Sequence, residues 1–148
     1  MVLWTDTLAN FLTDTLWQGY YLEVLMAPSV IMRSWTGLTT HNVTERNIRV
    51  EVGLLAAGQH LSLEWDDKPT GPDAHYVQVM CRPEGDFQVE YRAGSAAEHY
   101  QTFTTSRDDV VAALLGWCQG GSAWRAKFEW TCIGDMFTDP GRRVPISE

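Results

Sequence analysis

The sequence predicts an α+β fold: one domain, with a mainly antiparallel sheet of about five to seven strands and two helices packed on one face. Three observations carry this expectation. Apolar and polar residues alternate with period two in several segments that follow one another. Two other segments show three- and four-residue apolar spacing behind residues that cap helices. The strands are grouped rather than interleaved with helices, which favours an antiparallel sheet over a parallel one. A length of 148 residues fits one domain.

In chain order, Leu8, Phe11, Leu12 and Leu16 form a helical stripe that Thr5 or Asp6 can cap and Gly19 can end. Tyr20 to Met26 reads as a strand ending before Pro28, and Val30 to Trp35 as another. From residue 47, Ile48, Val50, Val52 and Leu54 alternate with Asn47, Arg49, Glu51 and Gly53, which predicts a half-buried strand. The segment Ala57-Gly58-Gln59-His60 then links it to a second strand through Leu61, Leu63 and Trp65. Residues 66–74 are turn and breaker types, hence a loop. Val77, Val79 and Cys81 share one strand face, as do Phe87, Val89 and Tyr91, and Pro83-Glu84-Gly85-Asp86 supplies the hairpin turn. Tyr100 to Thr104 is a further strand. Thr105 or Ser106 caps a second helix, whose stripe is Val110, Val111, Leu114, Leu115 and Cys118. Trp124 to Cys132 alternates without a break and predicts a final strand with Cys132 on its buried face. The domain is therefore expected to span 1–133, with 134–148 a loosely packed C-terminal tail.

Charge and composition exclude some functions. Eleven Lys and Arg against nineteen Asp and Glu leave a net charge of −8, the wrong sign for gripping nucleic-acid phosphates. No apolar run approaches the ~20 residues of a membrane span. Three cysteines, Cys81, Cys118 and Cys132, cannot all pair within one chain, and no basic region precedes an early apolar stretch. Both features lead to the expectation of free thiols and a cytoplasmic location.

No catalytic or metal motif stands out. The four histidines and three cysteines form no Cys-x-x-Cys, His-x-x-x-His or His-Glu-x-x-His pair. A nucleophile elbow and a phosphate-binding glycine loop are likewise missing. The expectation is no enzyme activity, no metal and no cofactor. What remains is surface. Glu64, Asp66, Asp67 and Asp73 surround Lys68, Trp65 stands among them, and Glu84 and Asp86 follow in the hairpin turn. An aromatic anchor within a charged rim is the usual make-up of a protein-binding hot spot, so these seven residues, Glu64, Trp65, Asp66, Asp67, Asp73, Glu84 and Asp86, form the candidate binding surface.

The stretch His-Tyr-Val-Gln-Val at 75–79, Pro-Glu-Gly-Asp-Phe-Gln-Val-Glu-Tyr-Arg-Ala-Gly at 83–94 and His-Tyr-Gln-Thr-Phe at 99–103 is followed by a capped helix, Ser106 to Trp117, and a segment ending in Trp130. In this order of hairpin, strand, capped helix and tryptophan-ended strand, about a third of the chain resembles small actinobacterial immunity proteins encoded beside polymorphic toxins. The resemblance implies a stoichiometric inhibitor that binds a cognate toxin directly and occludes its active site. An acidic inhibitor suits a toxin with a basic cleft, and charge complementarity raises association rates toward ~10⁸–10⁹ M⁻¹s⁻¹ at low salt. Two alternatives stand beside this expectation. One is a small-molecule or lipid-binding α+β module with tryptophans lining a pocket. The other is a small hydrolase or transferase using His75, His99 or Glu90 drawn from separate strands.

Overall fold

The hairpin that the turn residues 83–86 demand forms the middle of the sheet. The computed structural model describes residues 29–139. Strands β4 (His75–Cys81) and β5 (Phe87–Ala93) pair with Val77 opposite Tyr91, Val79 opposite Val89 and Cys81 opposite Phe87. Gly85 takes the positive φ of 91° that the turn needs, and Arg82 clasps Asp86 at 2.6 Å across it. Outward from this hairpin lie β3 (His60–Trp65), β1 (Val30–Ser34) and β2 (Thr39–Thr40) on one side, and β6 (His99–Thr104) and β7 (Thr131–Cys132) on the other. Every neighbouring pair in this seven-stranded sheet is antiparallel.

The alternation of β3, β4 and β5 sends Leu61, Leu63, Val77, Val79, Phe87 and Val89 to one face, where all are buried. Helices α1 (Glu45–Leu54) and α2 (Arg107–Cys118) cover that face and share a core cluster with it. Ser106 caps α2 by accepting a hydrogen bond from the Asp109 amide at 3.1 Å, and Val110, Val111, Ala113, Leu114 and Trp117 form its buried side. Arg107 ties the helices together. Its guanidinium donates to the carbonyl oxygens of Val52 and Leu55 at the C-terminal end of α1, and it sits over the Phe87 ring at 4.9 Å.

Two expectations need correction. The predicted strand at 47–54 is the helix α1. Ile48 and Val52 satisfy a period of two, but they are also four residues apart, and the helix buries that pair with Leu55. Val50 and Leu54, the other apolar residues of the supposed strand, are 49% and 70% exposed. The deciding signal is the capping box: Thr44 accepts from the Asn47 amide at 3.2 Å and Asn47 accepts from the Thr44 amide at 3.0 Å. Thr44→Ala is expected to cost about 1 kcal/mol, read as a lower midpoint in chemical denaturation.

The long final strand is also absent. Ala123–Lys127 is a 3₁₀ turn, and only Thr131 and Cys132 pair, with Gln101 and Tyr100. The alternating aromatics serve packing instead. Trp124 and Trp130 both meet Tyr91 edge-on, at 5.2 and 4.8 Å. Trp124 approaches α2 at Gly116, where a Cβ would lie 2.3 Å from the Trp124 Cβ. Cys132, expected on a buried face, is exposed, whereas Cys81 is buried. Burial pushes the half-buried Cys118 thiol up to about 12, which keeps it protonated and unreactive.

The α+β class, the antiparallel sheet and two helices on its core face are as expected. The stripe at Leu8 to Leu16 and the strand at Tyr20 to Met26 lie outside the described residues. At the other end of the chain, Asp135–Thr138 form a short helix, α3, against β6. No helix among the described residues is long and apolar enough to cross a membrane.

Candidate functional site

Neither α1 nor α2 lies over the second face of the sheet, and the antiparallel register sets its side chains in rows. Tyr76, Arg92 and His99 form one row, Gln78, Glu90 and Gln101 the next, and Met80, Gln88 and Phe103 the third. These are the off-phase residues of strands whose in-phase residues build the core. Met80 and Phe103, 36% and 46% exposed, are adjacent to the acidic β4–β5 turn. At the opposite end Met136 and Phe137 of α3 are also exposed. Amide groups and one carboxylate lie between them: Gln78 donates to Glu90 at 2.8 Å, and Gln88 donates to its other oxygen.

One buried network anchors this face. His99 is fully buried, with Nε2 3.0 Å from Glu90 Oε2 and Nδ1 3.0 Å from Arg92 Nη2. Arginine can only donate, so Nδ1 is the acceptor nitrogen, and the proton on Nε2 goes to Glu90. His99 is therefore the neutral Nε2–H tautomer, held between a carboxylate and a guanidinium. Burial pushes the Glu90 carboxyl up, but hydrogen bonds from His99, Gln78 and Gln88 outweigh it and hold the group below its ordinary value. Phe137 stacks flat on the imidazole at 4.2 Å, and Tyr76 meets it edge-on at 5.8 Å. Arg92 also reaches the Gly71 carbonyl at 3.5 Å and lies over the Phe137 ring at 4.9 Å.

In this arrangement both imidazole nitrogens are engaged, Nε2 by Glu90 and Nδ1 by Arg92. Of the three residues weighed for catalysis, Glu90 and His99 meet, while His75 packs against Gly94 instead. Glu98 turns away from its neighbour His99 and accepts from Ser95 at 3.1 Å. Among the described residues no group of three or more His, Cys, Asp or Glu gathers as a metal site would require.

The seven residues of the expected binding surface divide into two sets. Glu64, Trp65, Asp66, Asp67 and Asp73 are at the end of the sheet where β3 finishes and β4 begins. Glu84 and Asp86 are at the other end, in the β4–β5 turn, a strand length of about 20 Å away. They therefore form no single patch, but they bracket the uncovered face at both ends. Trp65 is not a free anchor either, since it stacks on Trp117 of α2 at 4.4 Å. Glu64 faces the uncovered side, 3.6 Å from Arg33. Beneath the 66–74 loop a shallow cleft of about 280 Å³ is lined by Glu64, Trp65, Thr70, His75 and Tyr76. A smaller one of about 170 Å³ lies between His60, Met80, Gln88 and Glu90.

Residues missed in the sequence reading are Tyr76, Gln78, Met80, Gln88, Arg92, Gln101, Phe103 and Phe137. For those on strands a signal exists, because they are the alternate positions of segments already assigned. Comparison of the chain with protein-family models, curated proteins and solved structures finds no significant match.

Proposed function

We propose that the protein is a toxin-neutralising binding module of the immunity type, which seats its uncovered sheet face on a basic cleft of its partner. The observation that carries this reading is the face itself: exposed Met80 and Phe103 beside a field of glutamine amides, with acidic turns at both ends. Apolar and aromatic anchors set among polar groups match the make-up of protein-binding hot spots. The net charge of −8 suits a basic partner. The resemblance of the hairpin-to-tryptophan stretch supplies the inhibitor role. The larger cleft, about 280 Å³, is at the lower edge of the ~300–1,000 Å³ usual for small-molecule pockets, and the smaller, about 170 Å³, falls below it.

The test is association with the protein encoded beside this chain, measured at low and high salt. Tight binding at low salt that weakens as salt rises is expected. Phe103→Ala should weaken it about tenfold or more at both salts, because it removes an anchor and leaves every charge in place. Absence of binding at both salts, or binding that Phe103→Ala leaves unchanged, overturns the reading.

A further inference from the structure

We infer that the cleft beneath the 66–74 loop binds an organic cation, a guanidinium or ammonium head on a short alkyl stem, with Glu64 as its counter-charge and the Trp65 and Tyr76 rings as walls. The cleft measures about 280 Å³, and Pro69, Thr70 and His75 line it beside these three. Register explains the convergence. Glu64 and Tyr76 are directly opposite each other in the β3–β4 pair, and the loop joining the two strands supplies the wall of Pro69 and Thr70. That loop is fastened at several points. The Asp66 amide donates to the Ser29 carbonyl at 3.0 Å, the Lys68 amide to the Trp65 carbonyl at 3.3 Å, and the Gly94 amide to the Ala74 carbonyl at 3.2 Å. Trp65 is held by its stack on Trp117. The walls therefore stand in place before a ligand arrives, which lowers the ordering cost of binding.

Charge selects the ligand. Glu64 is the carboxylate of the lining. Its ion pair with Arg33 is at 3.6 Å, between side chains 49% and 34% exposed for Arg33 and Glu64. A pair of that kind contributes little and exchanges readily for a better one. Asp66, Asp67 and Asp73 on the rim are exposed and enter no ion pair among the described residues. Of the nearby cations, Lys68 is exposed and outside the lining. Arg92 lies over the Tyr76 ring at 5.5 Å but is engaged by His99 and the Gly71 carbonyl. The Tyr76 hydroxyl feels that guanidinium together with two carboxylates, Glu90 and Glu64. Five carboxylates, with Glu90 included, thus stand against Arg33, Lys68 and Arg92, and the balance is negative. Aromatic walls act in the same direction, because ring faces attract cations and apolar surface covers an alkyl stem. A cleft of this size suits one cationic head and its stem rather than a drug-sized molecule.

Two sources share this chemistry: a free amine or guanidine, and a lysine or arginine side chain of a docked partner. The site itself is tested without a partner, so its failure and that of the docking proposal are separate results. In an NMR titration of the wild-type chain, butylguanidinium should shift the Trp65, His75 and Tyr76 ring signals saturably, and its uncharged isostere butylurea should not. Glu64→Gln should weaken that binding about tenfold, whereas Glu51→Gln on α1, which removes the same charge elsewhere, should leave it unchanged. Absence of saturable shifts, equal binding of butylurea, equal losses in the two variants, or shifts spread over the acidic surface beyond the cleft would each overturn the assignment. With the site in hand, the Glu64→Gln chain separates the sources. If it associates more weakly with the protein encoded beside this chain, and butylguanidinium competes with that association, the partner supplies the cation. If association is unaffected or does not occur while butylguanidinium still binds, the ligand is a free cation.

Discussion

Replacing His99 with alanine is expected to destabilise the domain by about 3–5 kcal/mol, the cost typical of removing one partner from a buried charged network. The reason is what the substitution leaves behind. Arg92 loses its acceptor at 3.0 Å, while the Gly71 carbonyl remains at 3.5 Å, so a buried guanidinium loses its shorter hydrogen bond. Glu90 loses one of three donors, and its burial then acts with less opposition. The ring on which Phe137 stacks also disappears. Thermal denaturation should report a fall on the order of 10–20 °C. The triple replacement Glu90→Leu, Arg92→Met, His99→Phe removes the charges together with the acceptor, and should recover most of that loss, because desolvation offsets much of what such networks contribute. Equal destabilisation of the single and triple variants would show that packing alone, and not the charge arrangement, sets the cost.

Trp117→Ala should cost about 3–5 kcal/mol by a different mechanism, the cavity left by a large buried ring. Trp117 is part of the core cluster under the sheet, and its indole stacks on Trp65 with only 22° between the planes. The substitution strips both the α2 packing and the cover over Trp65. Trp65→Ala should cost less in the Trp117→Ala background than in the wild-type chain, a coupling that a double-mutant cycle in denaturant measures. Full additivity of the two losses would mean that the stack contributes nothing beyond separate burial.

The middle of the molecule was legible because its local signals agree. The alternation of β4 and β5, the turn between them and the Ser106 cap all point to the elements that form. The segment at 47–54 was misread because Ile48 and Val52 fit both periods, and the Thr44–Asn47 box that resolves the ambiguity stands before the apolar residues. The segment at 124–132 misled differently. Its aromatics alternate, but they fill space around Tyr91 and Gly116, a demand set by tertiary packing rather than by a pleat. The candidate site was less legible still. Alternation says which residues leave the core side of a strand, yet it says nothing of register between strands. The meeting of Glu90, Arg92 and His99, and the separation of Asp66 from Asp86, are consequences of register and strand direction. Proximity in sequence joined the seven acidic and aromatic residues into one surface, and the length of β3 and β4 pulls them apart.

The central claim is that the uncovered sheet face, not the helical side, meets the partner. Side-chain NMR of the chain with and without the protein encoded beside it tests it most directly. Docking on the sheet face should shift the Gln78, Gln88 and Gln101 amide, Met80 methyl and Phe103 ring signals, with the Val50 and Leu54 methyls of α1 unchanged. Shifts centred on Val50 and Leu54, or on the exposed Trp35 and Leu38 of the β1–β2 turn, with the Gln78–Phe103 face unaffected, would contradict it.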